Sequence, residues 1–375
     1  MKEKNEFEKH QAAKKYYDAG QALALRGRYE EAIKEYNKAI KLKPDEDVLY
    51  YKKGNSLAFL GRYEEAIECY DKSISLNPEY ADAYNNKGNS FFDLEKYEEA
   101  LVEYDKAIEL KPNDACSYYN KGNSFYKLGK YEEAIKEYNK AIKLKPDYVE
   151  SYYNKGISLY NIGEYEESII AYEKAIELKP DDADIYNNKG TSLFNLGQYE
   201  EAIKAYNKAI ELNPNDAVVI NNKGTSLSDL EKYEEAIKCY NQAIELNPND
   251  ACSYYNKGNS FYKLGKYEEA IKEYNKAIKL KPDYVESYYN KGISLYNIGE
   301  YEESIIAYEK AIELKPDDAD IYNNKGTSLF NLGEYEEAIK AYNKSIELKP
   351  DFAVAINNRT IVIEKLGSAG DATRD

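Results

Sequence analysis

Glycine returns every 34 residues along this chain, at Gly20, Gly54, Gly88, Gly122, Gly156, Gly190, Gly224, Gly258, Gly292 and Gly326, without a slip in register. A period of that length is too short for a domain and too long for one strand or helical turn, so it marks a supersecondary unit copied in tandem. All ten prolines share one phase, from Pro44 and Pro78 to Pro316 and Pro350, so they separate repeats and never interrupt one. Repeats therefore begin at 13, 47, 81, 115, 149, 183, 217, 251, 285 and 319 and end at 352, behind a polar lead at 1–12.

Each repeat reads as two helices and a turn, as in ADIYNNKGTSLFNL, then GQ, then YEEAIKAYNKAIEL, then NPN. Tyr186, Gly190 and Leu193 recur at helical spacing in the first helix, and Ala202, Ile203, Tyr206, Ala209 and Ile210 do so in the second. A mid-helix glycine costs about 1 kcal/mol against alanine, and close helix packing is the usual compensation. A lone helical hairpin cannot bury its apolar face, so each repeat depends on its neighbours and the ends need caps. Residues 353–367 read as a capping helix whose Arg359 and Glu364 close the last face, and 368–375 as a disordered tail.

This pattern resembles the tetratricopeptide repeat family. Tyr118, Gly122, Phe125, Ala134, Tyr138, Ala141 and Pro146 match its signature position by position, and the likeness covers about nine-tenths of the chain. Ser168 and Ser304 depart at the first alanine, Ser73 and Ser345 at the second, and Ile220 at the opening aromatic. The family leucine before the glycine is lysine from Lys53 to Lys325, read as an aliphatic stem with its ammonium in water. The resemblance implies an all-α, right-handed superhelix of ten helix-turn-helix repeats plus the capping helix, with first helices lining a concave groove.

A second period overlies the first. Residues 112–214 return at 248–350, an offset of 136, with three differences (Gln198/Glu334, Ala209/Ser345, Asn213/Lys349), and the weaker likeness of DLEKYEEA at 93–100 and 229–236 extends it. Two blocks of four repeats, 81–216 and 217–352, present the same surface twice.

Chemistry is hard to seat on these residues. The single histidine, His10, leaves a histidine-based dyad or metal site without a second member, and Cys69, Cys116, Cys239 and Cys252 lack metal-ligand spacing. Adjacent glutamates such as Glu132 and Glu133 diverge by about 100° on a helix and suit a helix N-terminus. No enzyme, no cofactor and no metal site is expected. A net charge of −16, from 52 basic and 68 acidic residues, argues against nucleic acid and anionic membranes as partners. Sparse unpaired cysteines and no long apolar run point to a cytoplasmic protein.

The face left over on the first helices carries an asparagine two places before the glycine: Asn86, Asn120, Asn154, Asn188, Asn222, Asn256, Asn290, Asn324 and Asn358. A row of primary amides complements an extended peptide backbone. Tyr119, Tyr153, Tyr255 and Tyr289, with Asn123 and Asn259, would add contact area beside it. Superhelical members of the family use an inner asparagine ladder in this way, which strengthens the expectation, although copying alone would also leave such a row behind. The family's clamp for acidic chaperone tails needs a lysine three before the glycine, where this chain has Tyr or Asn. Asp82, Glu150, Asp184, Glu286 and Asp320 make the rim acidic, so a neutral or basic extended peptide is the expected partner.

The favoured reading is a non-catalytic scaffold that binds extended segments of partner proteins. Alternatives are an RNA-binding helical-repeat protein, disfavoured by charge, or a regulatory subunit of an enzyme encoded elsewhere. Near-identical repeats also allow self-association through their ends.

Overall fold

The computed structural model describes the backbone of residues 2–371 and the side chains of residues 6–366. Among the described residues the chain is all-helical. It divides into two bodies, Met1–Ser192 and Leu193–Asp375, a boundary inside a helix and at neither edge of the duplicated blocks.

In the first body, first helices α1 (Lys2–Ala24), α3 (Asp47–Phe59), α5 (Ala81–Asp93), α7 (Ala115–Lys127) and α9 (Val149–Asn161) alternate with second helices α2 (Tyr29–Leu42), α4 (Tyr63–Leu76), α6 (Tyr97–Leu110), α8 (Tyr131–Leu144) and α10 (Tyr165–Leu178). Helix α11 (Ala183–Asn195) crosses the boundary. The second body alternates α12 (Tyr199–Leu212), α14 (Tyr233–Leu246), α16 (Tyr267–Leu280), α18 (Tyr301–Leu314) and α20 (Tyr335–Leu348) with α13 (Ala217–Asp229), α15 (Ala251–Lys263), α17 (Val285–Asn297), α19 (Ala319–Leu332) and α21 (Ala353–Asp371).

Local chemistry accounts for these limits. Paired glutamates such as Glu132 and Glu133 occupy the first turn of each second helix and complement its dipole. Asp114, Asp216 and Asp250 cap first helices through their carboxylates. The turn between the two helices needs a left-handed residue, supplied by Gly129 at φ 71°. Glu95 and Glu231 hold that place at φ 60° and 59°, a conformation that costs a side-chain-bearing residue of order 1 kcal/mol or more.

The core is built around one contact repeated down the array. A Cβ added at Gly122 would lie 2.6 Å from the ring of Tyr138, which is fully buried. Glycine is thus required for the approach of α7 to α8. The serine departures are accommodated singly: Ser168 and Ser192 share a buried hydrogen bond of 2.7 Å, Ser304 and Ser328 one of 2.8 Å, and Ser345 donates to the Ala319 carbonyl, while the buried Ser73 hydroxyl has no partner.

The lead at 1–12 is helical from Lys2 and continuous with the first repeat. The C-terminal end differs from its sequence reading. Helix α21 continues to Asp371, past the expected end at 367, and 372–375 lie outside the described residues. Arg359 donates to Asn343 at 2.8 Å, but Val354, Ile361 and Ile363 remain exposed.

Candidate functional site

The asparagine ladder lies half-buried along the first helices, and its amide N–H groups are already in use. At Asn86, Asn120, Asn154, Asn188, Asn256, Asn290, Asn324 and Asn358 the donor reaches the preceding first helix, 35 or 31 residues back. Asn154 Nδ2 donates to Tyr119 Oη at 3.1 Å and to Asn123 Oδ1 at 3.0 Å. Asn290, its copy, donates to Tyr255 Oη at 3.1 Å and Asn259 Oδ1 at 3.0 Å. Asn86 makes the same pair to Tyr51 and Asn55, and Asn120 donates to Asn85 and Asn89. Asn188 and Asn324 reach Tyr153 and Tyr289 at 2.9 Å, while Asn256 and Asn358 reach Asn221 and Asn323. Asn222 stands in register on α13, where its carbonyl accepts from Ser226.

The acceptor after the glycine serves two donors at once. Asn123 Oδ1 also receives the Tyr138 hydroxyl at 2.8 Å, and Asn259 receives Tyr274 likewise. A continuous chain of hydrogen bonds therefore runs from the buried second-helix tyrosine, through the asparagine after the glycine, to the ladder amide of the next repeat. Such a network fixes the register of neighbouring repeats. The sequence reading assigned both donors and acceptor of the ladder to a partner. With the two N–H groups of Asn154 and Asn290 spent on the preceding repeat, Oδ1 is the atom each can offer a ligand. Replacing Asn154 with alanine is expected to cost about 1–2 kcal/mol with no partner present, read as a lower urea midpoint.

The four tyrosines named with the ladder are likewise engaged. The Tyr119 ring lies 6.0 Å from Tyr138 and 4.9 Å from Tyr148, and Tyr255 repeats this with Tyr274 and Tyr284. Tyr153 and Tyr289 pack 6.2 and 6.1 Å from Tyr172 and Tyr308. Their hydroxyls accept from the ladder, which leaves the O–H as the donor each can offer beside its ring.

Two depressions open on this face, one in each body. The first, about 250 Å³, is lined by Phe92, Asn123, Tyr126, Lys127, Asn154 and Ile157. The second, about 370 Å³, is lined by Ser228, Asp229, Asn259, Tyr262, Lys263, Asn290 and Ile293. They are the same site copied 136 residues on, with Phe92 replaced by Ser228, and the smaller side chain accounts for the larger space. Burial raises the carboxyl groups of Asp229, which lines the second depression, and of its counterpart Asp93 above the usual carboxylate value. The depressions bring together Asn123 with Asn154, and Asn259 with Asn290. The other ladder residues are spaced along their helices without such a hollow among the described cavities. Phe92, Ser228 and Asp229 were missed because they belong to the end of the preceding first helix, where the copies diverge at Phe92 and Ser228.

The lysines before the glycines also depart from expectation. Lys87 Nζ lies 2.7 Å from Asp71 and 2.8 Å from Glu103, so its ammonium bridges second helices and does not simply extend into water. No helix among the described residues is long and apolar enough to cross a membrane.

Comparison with known proteins gives consistent matches along the chain. Models described as TPR repeat match residues 20–61, 54–94, 88–129, 122–163, 158–197, 224–265, 258–299 and 294–333. Models described as tetratricopeptide repeat match 183–216 and 319–352, and 205–238. Among solved structures, Cut9 of the APC/C hetero-tetramer Cut9-Hcn1 is 14% identical, with 92% of this chain and 89% of that one covered at a TM-score of 0.50, a likeness of fold alone. YrrB, described as a TPR protein with an unusual peptide-binding site, is 26% identical over 51% of this chain and 98% of its own, at a TM-score of 0.45. MamA from Desulfovibrio magneticus RS-1 is 25% identical over 46% and 97%, at 0.43. No curated protein matches the chain.

Proposed function

This chain belongs to the tetratricopeptide repeat family, and on that premise we propose that it is a non-catalytic scaffold that binds extended segments of partner proteins along its first helices. The observation that carries the proposal is the pair of equivalent depressions, each presenting a ladder amide beside an aromatic ring, an aliphatic side chain and a lysine. Asn154 Oδ1 and Asn290 Oδ1 would accept a backbone N–H from the ligand. Tyr126 and Tyr262 would supply apolar contact area, and Ile157 and Ile293 the floor. The acidic residues beside this face, Asp82, Glu150, Asp184, Glu286 and Asp320, favour a neutral or basic segment.

A display screen of random extended peptides against the intact chain tests this. Alanine at the ladder is a poor control, because it also breaks contacts between repeats. The variant of choice carries Tyr126→Ala and Tyr262→Ala, with helix content checked by circular dichroism. Peptides retained by the parent and lost by the folded variant support the proposal. Recovery of the same peptides by both proteins, or of none by the parent, contradicts it.

A further inference from the structure

Lys87 meets Asp71 and Glu103, the residues 16 places before and after it on the flanking second helices, and the same two places can be read for every lysine before a glycine from Lys53 to Lys325. Lys121 bridges Asp105 at 2.6 Å and Glu137 at 3.8 Å, and Lys257 pairs with Glu273 at 3.2 Å. Glu137 and Glu273 are almost fully buried, so each such lysine answers a carboxylate that has little access to water. One repeat further on the pattern breaks, in both copies. Lys155 stands between Asn139 and Ala171, and Lys291 between Asn275 and Ala307. Neither has a carboxylate partner among the described residues, yet both remain partly buried. Burial alone lowers both ammonium groups below the ordinary lysine value. Lys53 and Lys223 also lack carboxylates at these places, but a thiol, Cys69 or Cys239, fills the later one.

Without a carboxylate to hold the proton, a larger share of the amine is neutral and nucleophilic. The product side favours the same two lysines. Acylation at Lys121 or Lys257 would break an ion pair to Asp105, Glu137 or Glu273, whereas acylation at Lys155 or Lys291 breaks none and removes a charge that burial already penalises. We propose that acyl phosphates modify Lys155 and Lys291 in preference to the ion-paired lysines Lys121 and Lys257 at the same place in other repeats. The neutral ε-amine attacks the carbonyl carbon and forms an amide bond. The bond between that carbon and the phosphate oxygen breaks, inorganic phosphate leaves with the electron pair, and the amine's proton passes to water. This site is separate from the depressions on the first helices and does not depend on a peptide ligand.

The test is a time course of the folded, full-length chain with acetyl phosphate at mildly alkaline pH, read by peptide mass spectrometry. Lys155 and Lys291, which fall in peptides of identical sequence, are expected to be acetylated several-fold faster than Lys121 and Lys257. A second protein carries Ala171→Glu, which gives Lys155 the carboxylate that Glu137 gives Lys121 and gives the acetylated Lys155 peptide its own mass. Acetylation of Lys155 is expected to slow several-fold while that of Lys291, in the same molecule, keeps its rate. Equal rates at Lys155/Lys291 and Lys121/Lys257 in the parent overturn the proposal, as does an unchanged Lys155 rate in a folded Ala171→Glu protein. If that protein does not fold, the comparison within the parent decides.

Discussion

Raising the pH from 9 to 11 is expected to unfold the array cooperatively. Burial pushes the Tyr36 hydroxyl up to about 12, and moves Tyr70, Tyr104, Tyr138 and Tyr172 in the first body and Tyr240, Tyr274 and Tyr308 in the second in the same direction and further. In the unfolded chain these groups lose their protons near the ordinary tyrosine value of about 10. Between that value and the folded one the unfolded state binds fewer protons, so stability is whole below pH 10 and falls as pH rises. Each buried tyrosine contributes about 1.4 kcal/mol per pH unit to the loss, so by pH 11 the eight together lose about 11 kcal/mol, comparable with the 5–15 kcal/mol typical of a folded domain. Helix content by circular dichroism and tyrosinate absorbance near 295 nm check this. The late-ionising tyrosines should appear in the same narrow pH interval in which the helical signal is lost. Their gradual ionisation with the helices retained would contradict it.

The second large effect is expected at Tyr138→Ala. This side chain fills the space that the missing Cβ of Gly122 leaves, lies against Tyr119, and donates its hydroxyl to Asn123. Removing a buried aromatic side chain costs about 3–5 kcal/mol, and Asn123 loses a donor besides. Tyr138→Phe keeps the ring and is expected to cost only about 1 kcal/mol. Because each repeat leans on its immediate neighbours, the damage should be local. Hydrogen exchange is expected to quicken in α7, α8 and α9 of the alanine variant while α2 keeps its protection. Uniform loss across the first body would mean that it melts as one unit, against a sum of nearest-neighbour contacts.

The repeat, its helices and its packing were legible because each is written within 34 residues. Gly122 and Tyr138 are 16 apart, and ten copies in one phase leave little freedom in how they pair. What the ladder does was much less legible, because its bonds join residues in consecutive repeats. Asn154 reads as a free amide until Tyr119 and Asn123 are placed beside it on α7. The sequence does hold a partial signal, an asparagine after the glycine at Asn55, Asn89, Asn123 and Asn259, which is meaningful only once the neighbouring first helix is known to lie there. The lysines failed for a related reason. Lys87 appears solvated along its own helix, and only the flanking second helices bring Asp71 and Glu103 to it. At Glu95 and Glu231 the turn keeps its left-handed residue without a glycine.

The most direct measurement is an equilibrium titration of a peptide recovered from the display screen against the parent chain, the Tyr126→Ala and Tyr262→Ala single variants, and the double variant. Two equivalents of peptide per parent chain, one per single variant and none for the folded double variant are expected. Unchanged affinity and stoichiometry in the folded double variant would contradict binding at the paired depressions.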